Sequence, residues 1–187
     1  MFANSSLDQV TFFTRSNNVK KNMPYSHMFA NAYLTDLVIE DLDLGCAEME
    51  NFAAQNLLTR VTLKDLTFED TTGKGMNGKL MFSENTKLTS VTLDNVHVYN
   101  GDLTGMFLEC TSLVTVDFSK FYFHPYCLID EMFYGCTKLA SVTILDDLYN
   151  IACTSNVFYN IKTRGTFYYD PYYYNEEKRF EDTDIYL

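Results

Sequence analysis

A chain of 187 residues that is 47% hydrophobic and 21% charged carries enough apolar content to bury a continuous interior, which excludes an intrinsically disordered segment. Fourteen Lys and Arg against 25 Asp and Glu leave a formal net charge of −11, a field that opposes phosphate backbones and argues against nucleic acid as a partner. No run approaches the roughly 18 apolar residues of a membrane helix, and the first residues, Met1 to Ser6, lack a basic start and an apolar stretch, so neither a membrane span nor a signal peptide is expected.

From the first residue onward one unit recurs. Met1-Phe2, Met28-Phe29, Met81-Phe82, Met106-Phe107 and Met132-Phe133 mark it, with Phe52 and Phe158 as variants of the same position. The anchoring phenylalanines are 27, 23, 30, 25, 26 and 25 residues apart. After each of the first six comes Leu-x-x-Val-x-Leu or a close variant: Leu7/Val10/Phe12, Leu34/Leu37/Ile39, Leu58/Val61/Leu63, Leu88/Val91/Leu93, Leu113/Val116/Phe118 and Leu139/Val142/Ile144. Its alternation, with Thr62, Thr92 and Thr143 at outward positions, predicts a short strand buried on one face. A second alternating pair follows in Leu42/Leu44, Leu66/Phe68, Val96/Val98 and Phe121/Phe123, and it predicts a second short strand. Asp41, Asp65, Asn95 and Asp146 predict corners, because these side chains bond their own backbone. Apolar residues at about helical spacing, such as Leu103, Met106 and Phe107 or Leu128, Ile129, Met132 and Phe133, then predict short helical turns leading into the anchor.

No single unit buries enough surface to offset the entropy of ordering it, so the units must stack. The expected fold is a right-handed parallel solenoid of six to seven coils over residues 1–169, in which equivalent residues form ladders along the axis. Residues 170–187 form an aromatic and acidic tail. Its rings either cover the open end of the last coil or present a contact patch, and the cap is the better reading. The first coil has no such cover, so its apolar edge would need a neighbouring chain or further residues.

Met-Phe-Tyr-Gly-Cys-Thr-Lys-Leu-Ala-Ser-Val-Thr-Ile (132–144) and Met-Phe-Leu-Glu-Cys-Thr-Ser-Leu-Val-Thr-Val-Asp-Phe (106–118) resemble the BspA-type leucine-rich repeat, whose pattern is roughly Met/Ala-Phe-x-x-Cys-x-x-Leu-x-x-Val/Ile-x-Leu/Ile. The resemblance covers about residues 1–169. Gly165 to Tyr169 is similar to the Gly-Thr-aromatic strand with which many members close. The first two coils depart from the pattern by being one residue shorter between Phe and Leu, and the third lacks its Met. The resemblance implies a leucine-rich-repeat solenoid used for adhesion and binding at the cell surface or outside the cell, or in a phage particle. It implies no catalytic residues and no cofactor.

Candidate site residues follow from the outward strand face. Thr11, Val38, Thr62, Thr92, Asp117 and Thr143 form its central row, flanked by Thr35, Thr59, Thr89 and Thr115. A protein or glycan ligand would bind there, with Thr62, Thr92, Asp117, Thr143, Thr89 and Thr115 as the contacts. Exposed strands also favour Thr for its shape alone.

Of five cysteines, Cys110 and Cys136 are 26 apart, as are Cys127 and Cys153, which predicts adjacent rungs; Cys46 stands outside both pairs. Rung spacing permits disulfides, but Asn4, Asn31, Gln55 and Asn85 near the first position suggest an Asn/Cys ladder of buried free thiols. An odd cysteine count without Cys-x-x-Cys or paired His spacing argues against zinc. Acidic corners at Glu40-Asp41, Asp65, Asp94 and Asp146-Asp147 suggest calcium only weakly, since Asn95 and Lys120 interrupt the row. His27, His97 and His124 lie far apart in the sequence. His97 is expected on the outward side of the second strand, level with Asp43, Thr67 and Tyr122, as a solvated residue. Gly73 to Gly78 lacks the Lys-Ser/Thr ending of a phosphate loop and reads as an inserted surface loop. Two roles remain: a binding module, or a structural component of a larger assembly such as a phage fibre or tail adhesin.

Overall fold

The computed structural model describes residues 2–13, 22–69, 74–124, 126–144, 151–153, 155–161, 166–169 and 178–179. The chain winds into a parallel-strand solenoid of about five turns. The sequence suggested six to seven, and the outer anchors Phe2 and Phe158 belong to coils that the described residues cover only in part.

Its strands are β1 (Gln9–Phe13), β2 (Asp36–Asp43), β3 (Arg60–Phe68), β4 (Ser90–Val98), β5 (Thr115–Asp117), β6 (Phe121–Phe123), β7 (Cys127–Leu128), β8 (Ser141–Ile144), β9 (Ile151–Cys153), β10 (Thr166–Tyr169) and β11 (Lys178–Arg179). One sheet runs β1-β2-β3-β4-β6, a second β11-β10-β8-β5, and β7 pairs with β9. All pairings are parallel except β10 with β11, where Thr166 faces Arg179. A further ladder of single bridges, Pro24–Glu48–Asn77–Asp102–Leu128, closes another side of each coil. Met76 is buried beside this row, so residues 74–78 belong to the wall of the solenoid and are not an inserted loop; 70–73 lie outside the described residues.

The predicted first and second strands are continuous in β2, β3 and β4, bent where Asp41, Asp65 and Asn95 adopt left-handed φ of 56°, 50° and 55°. Short polar side chains tolerate that region best, which makes these corners readable from residue type. Asp146 lies outside the described residues.

The stretch expected to be helical contains no helix. Met106 N–H donates to Leu103 O, Leu108 to Gly105 O and Cys110 to Phe107 O, while Phe107 N–H donates to Met132 O and Glu109 N–H to Tyr134 O in the next coil. Alternate amides therefore close tight turns within the coil, and the others form the inter-coil ladder. Positive φ at Gly105 (62°) and Glu109 (58°) supplies the left-handed third residue such turns need. Three-residue turn spacing brings Leu103, Met106 and Phe107 to one face, much as a helix would, and this is why the pattern misled.

The anchors stack down the interior. Phe82, Phe107, Phe133 and Phe158 have successive ring centroids 5.8 Å apart and nearly parallel planes. Phe2 stacks on Phe29 at 5.4 Å but is 41% exposed. Coil three carries a correction. Phe52 N–H donates to Met49 O within its coil, as Met28, Met81, Met106 and Met132 do in theirs, whereas Ala53 N–H donates to Met81 O in the next coil, as Phe82 N–H does to Met106 O. Phe52 thus fills the methionine position and Ala53 the phenylalanine position. Phe52 accordingly meets Phe29 edge-on, at 84°, and the true intervals there are 24 and 29 residues instead of 23 and 30.

Candidate functional site

The first-strand face is built by strict register. Thr11, Val38, Thr62 and Thr92 are successive partners along β1 to β4, and Asp117 faces Thr143 along β5 and β8. Thr92 and Asp117 are exposed; Thr62 and Thr143 are half-buried. Behind them Val61, Leu63, Val116 and Val142 are buried. Alternation therefore delivers the predicted row as two segments, Thr11 to Thr92 in one sheet and Asp117 with Thr143 in the other.

The flanking row is different in composition and in role. Thr35 Oγ1 donates to Asp8 O at 3.0 Å, Thr59 Oγ1 to Thr35 O at 3.2 Å and Thr89 Oγ1 to Thr59 O at 3.3 Å. These hydroxyls reinforce the backbone at the start of each strand, so the hydroxyl proton of Thr89 is already engaged. Val114 takes the next place in that row, since its carbonyl accepts from Ala140 N–H. Thr115 instead faces Ser141 and belongs one residue further on, with Arg60 and Ser90.

Charged residues bordering the face are paired across rungs. Arg60 Nε donates to Asp36 Oδ1 at 2.6 Å, and Lys120 Nζ to Asp94 Oδ1 at 2.9 Å. Both carboxyls are held below their ordinary range, first by those hydrogen bonds. At the corner, Asn95 Nδ2 donates to Asp65 Oδ1 at 2.7 Å. Among the described residues no three or more His, Cys, Asp or Glu are grouped to hold a metal ion, and no helix is long and apolar enough to cross a membrane.

The structure brings His97 and His124 together, which the reading of His97 as a lone solvated residue missed. His97 sits level with Thr67 and Tyr122 as expected. Its Nδ1 lies 3.3 Å from His124 Nε2. The sequence signal is the alignment of the second strands, which sets His97 level with Tyr122 and so leaves His124 two residues further along on the same side.

Cys46, Cys110, Cys127 and Cys136 are buried, and Cys110 and Cys136 are free thiols. The predicted ladder at Cys110 and Cys136 keeps Asn85, but Asn56 takes the place expected for Gln55, and Asn31 lies outside it. Buried Asn56 and Asn85 precede the cysteines, while Asn31, Gln55 and Glu84 form a separate exposed ladder, with Asn31 Nδ2 on Gln55 Oε1 and Gln55 Nε2 on Glu84. Cys110 Sγ donates to Phe82 O and Cys136 Sγ to Phe107 O. Cys127 faces Ile151, and Cys153 faces Leu128 across an irregularity, so that predicted pair is out of register by one.

Burial pushes the Cys136 thiol up to about 12 and Cys110 well above its usual value. A thiol that resists ionisation in the fold but not in the unfolded chain supports stability below about pH 9; this is lost as pH rises toward 12, about tenfold in the folding constant per thiol per pH unit. Replacing Cys136 by Ala should therefore flatten the alkaline limb of a urea-denaturation series by about one proton. In native protein at pH 8, these four thiols should stay unlabelled by a disulfide reagent, and all should react once the chain is unfolded.

No family model, curated protein or solved structure matches this chain.

Proposed function

We propose that this chain is a non-enzymatic binding and adhesion module of the BspA-like leucine-rich-repeat type, acting at the cell surface or outside the cell, that takes a protein or glycan through its first-strand face. The observation that carries the reading is the in-register outward row Thr62–Thr92 and Asp117–Thr143 on a buried, hydrogen-bonded ladder. Such a row is held rigid before any ligand arrives, which lowers the entropy cost of recognition. Thr115 and Ser141 extend the polar surface on one side. The residues that support the family resemblance, Met106-Phe107 to Cys110 and Met132-Phe133 to Cys136, are those whose buried positions build the scaffold.

Screening against a glycan array and immobilised extracellular-matrix proteins should yield a ligand. Thr62→Arg combined with Thr92→Arg should then weaken binding about tenfold or more without changing the denaturation midpoint. Undiminished binding by that variant would remove the face from the site.

A second reading, a component of a larger assembly such as a phage fibre or tail adhesin, is favoured by Phe2, which stacks on Phe29 yet stays 41% exposed beside half-buried Leu7 and Val10. Light scattering on the screened samples distinguishes the two, since concentration-dependent association abolished by Phe2→Ser supports the assembly.

A further inference from the structure

We propose that His97 and His124 form a two-histidine site for a borderline divalent cation such as zinc or copper at the junction of the fourth and fifth coils. Hydrogen-bond directions fix the tautomer of His97. Asn95 Nδ2 donates to the Asp65 carboxylate at 2.7 Å, which turns Asn95 Oδ1 the other way, where it lies 3.2 Å from His97 Nε2. An amide oxygen only accepts, so His97 Nε2 carries a proton, and the neutral ring keeps its lone pair on Nδ1. That Nδ1 faces His124 Nε2 at 3.3 Å.

Two features fit coordination. First, 3.3 Å is long for a hydrogen bond, yet it is close to the separation of two nitrogens that share one tetrahedral ion through bonds of about 2.0–2.1 Å. Second, Asp65–Asn95–His97 is the kind of outer-shell chain that orients a metal-ligating imidazole, its far N–H held by an acceptor that is itself fixed. Tyr122 stacks on His97 with centroids 4.4 Å apart, and Tyr99 on His124 at 3.6 Å, so the rings are restrained from both coils.

The His97 and His124 centroids are 5.6 Å apart, so the rings meet edge to edge. The ion therefore sits off the line joining the nitrogens, and each ring must turn by about 35° from that line to reach a tetrahedral ion, with water in the remaining positions. Without metal, His124 Nε2–H donates to His97 Nδ1. On binding, that proton moves to His124 Nδ1, so two neutral imidazoles coordinate without net proton loss.

The test is calorimetric titration of the full chain with zinc chloride and, separately, copper chloride at pH 7.5, alongside ¹⁵N imidazole spectra. One equivalent is expected, with the His97 Nδ1 and His124 Nε2 resonances shifting together under zinc and broadening together under paramagnetic copper. His97→Gln and His124→Gln should each weaken it about tenfold or more, and Asn95→Ala by a smaller factor with both ligands intact. Binding unchanged in both histidine variants, binding that shifts neither nitrogen, or no binding at all overturns the proposal. The spectra of the unmodified chain decide the matter even if a variant folds poorly.

Discussion

Replacing Phe107 by Ala should cost about 3–5 kcal/mol of unfolding free energy, a large part of the total for a domain of this size. Phe107 is wholly buried, and its ring is stacked between those of Phe82 and Phe133. Loss of the ring therefore leaves a cavity bounded by two aromatic faces, and both neighbours lose a stacking partner. The contrasting variant is Phe2→Ala. Its ring is 41% exposed and stacks on Phe29, apart from the Phe82–Phe158 column, so the loss should be about 1 kcal/mol or less. Urea denaturation of the two variants measures the difference. Equal losses at the two positions would mean that the stack does not bear on stability in the way its geometry suggests.

The second large effect is expected at Asn85. The first coils span five residues from the anchor position to the following Leu, as in Phe29 to Leu34 and Ala53 to Leu58, whereas Phe82 to Leu88 and Phe107 to Leu113 span six. In the longer turns the leucine amide is satisfied locally: Leu88 N–H donates to Asn85 O and Leu113 N–H to Cys110 O. In the shorter turns the amide looks to the next coil, where Leu34 N–H donates to Asn56 Oδ1 at 3.0 Å and Leu58 N–H to Asn85 Oδ1 at 3.3 Å. Asn85 Nδ2 also donates to Ala53 O and Phe82 O. Cysteine at position 85 would leave the buried Leu58 amide unpaired, at a cost of about 2–4 kcal/mol for that amide and the lost carbonyl bonds. The reverse exchange should also destabilise, because Cys110→Asn buries an amide oxygen opposite a turn that already satisfies its own amide. Guanidinium denaturation of N85C, C110N and the double variant checks this. A stable N85C protein would show that turn length and ladder residue are uncoupled.

These two cases also show what the residues reveal on inspection and what they conceal. The Phe82, Phe107 and Phe133 stack is visible as a period because large aromatic rings at equal intervals have no other economical burial. Asp41, Asp65 and Asn95 are visible as corners because few residues other than glycine accept positive φ so readily. The turns around Gly105 and Glu109 are not, since a three-residue turn spacing and a helix place apolar side chains almost identically. Phe52 misleads for a related reason: one aromatic beside Ala53 looks like the anchor when it fills the methionine site. Of the first-strand face, the segments Thr62–Thr92 and Asp117–Thr143 follow from alternation alone. Thr115 belongs to another row for a reason that counting shows: it directly precedes Val116, as Arg60 precedes Val61 and Ser90 precedes Val91, whereas Thr59 and Thr89 stand two residues before theirs, and His97 meets His124 diagonally, two residues beyond its rung partner Tyr122.

The match between a short turn and the asparagine of the following coil has a consequence for how such a molecule could grow or shrink. Units ending in cysteine can in principle be copied next to one another, since each is self-sufficient at that amide. Excising the unit that holds Asn85 would instead bring Cys110 against the short turn before Leu58, an incompatible junction. Lineages of this protein should therefore gain and lose units toward the cysteine-bearing end and keep the order of the asparagine-bearing ones.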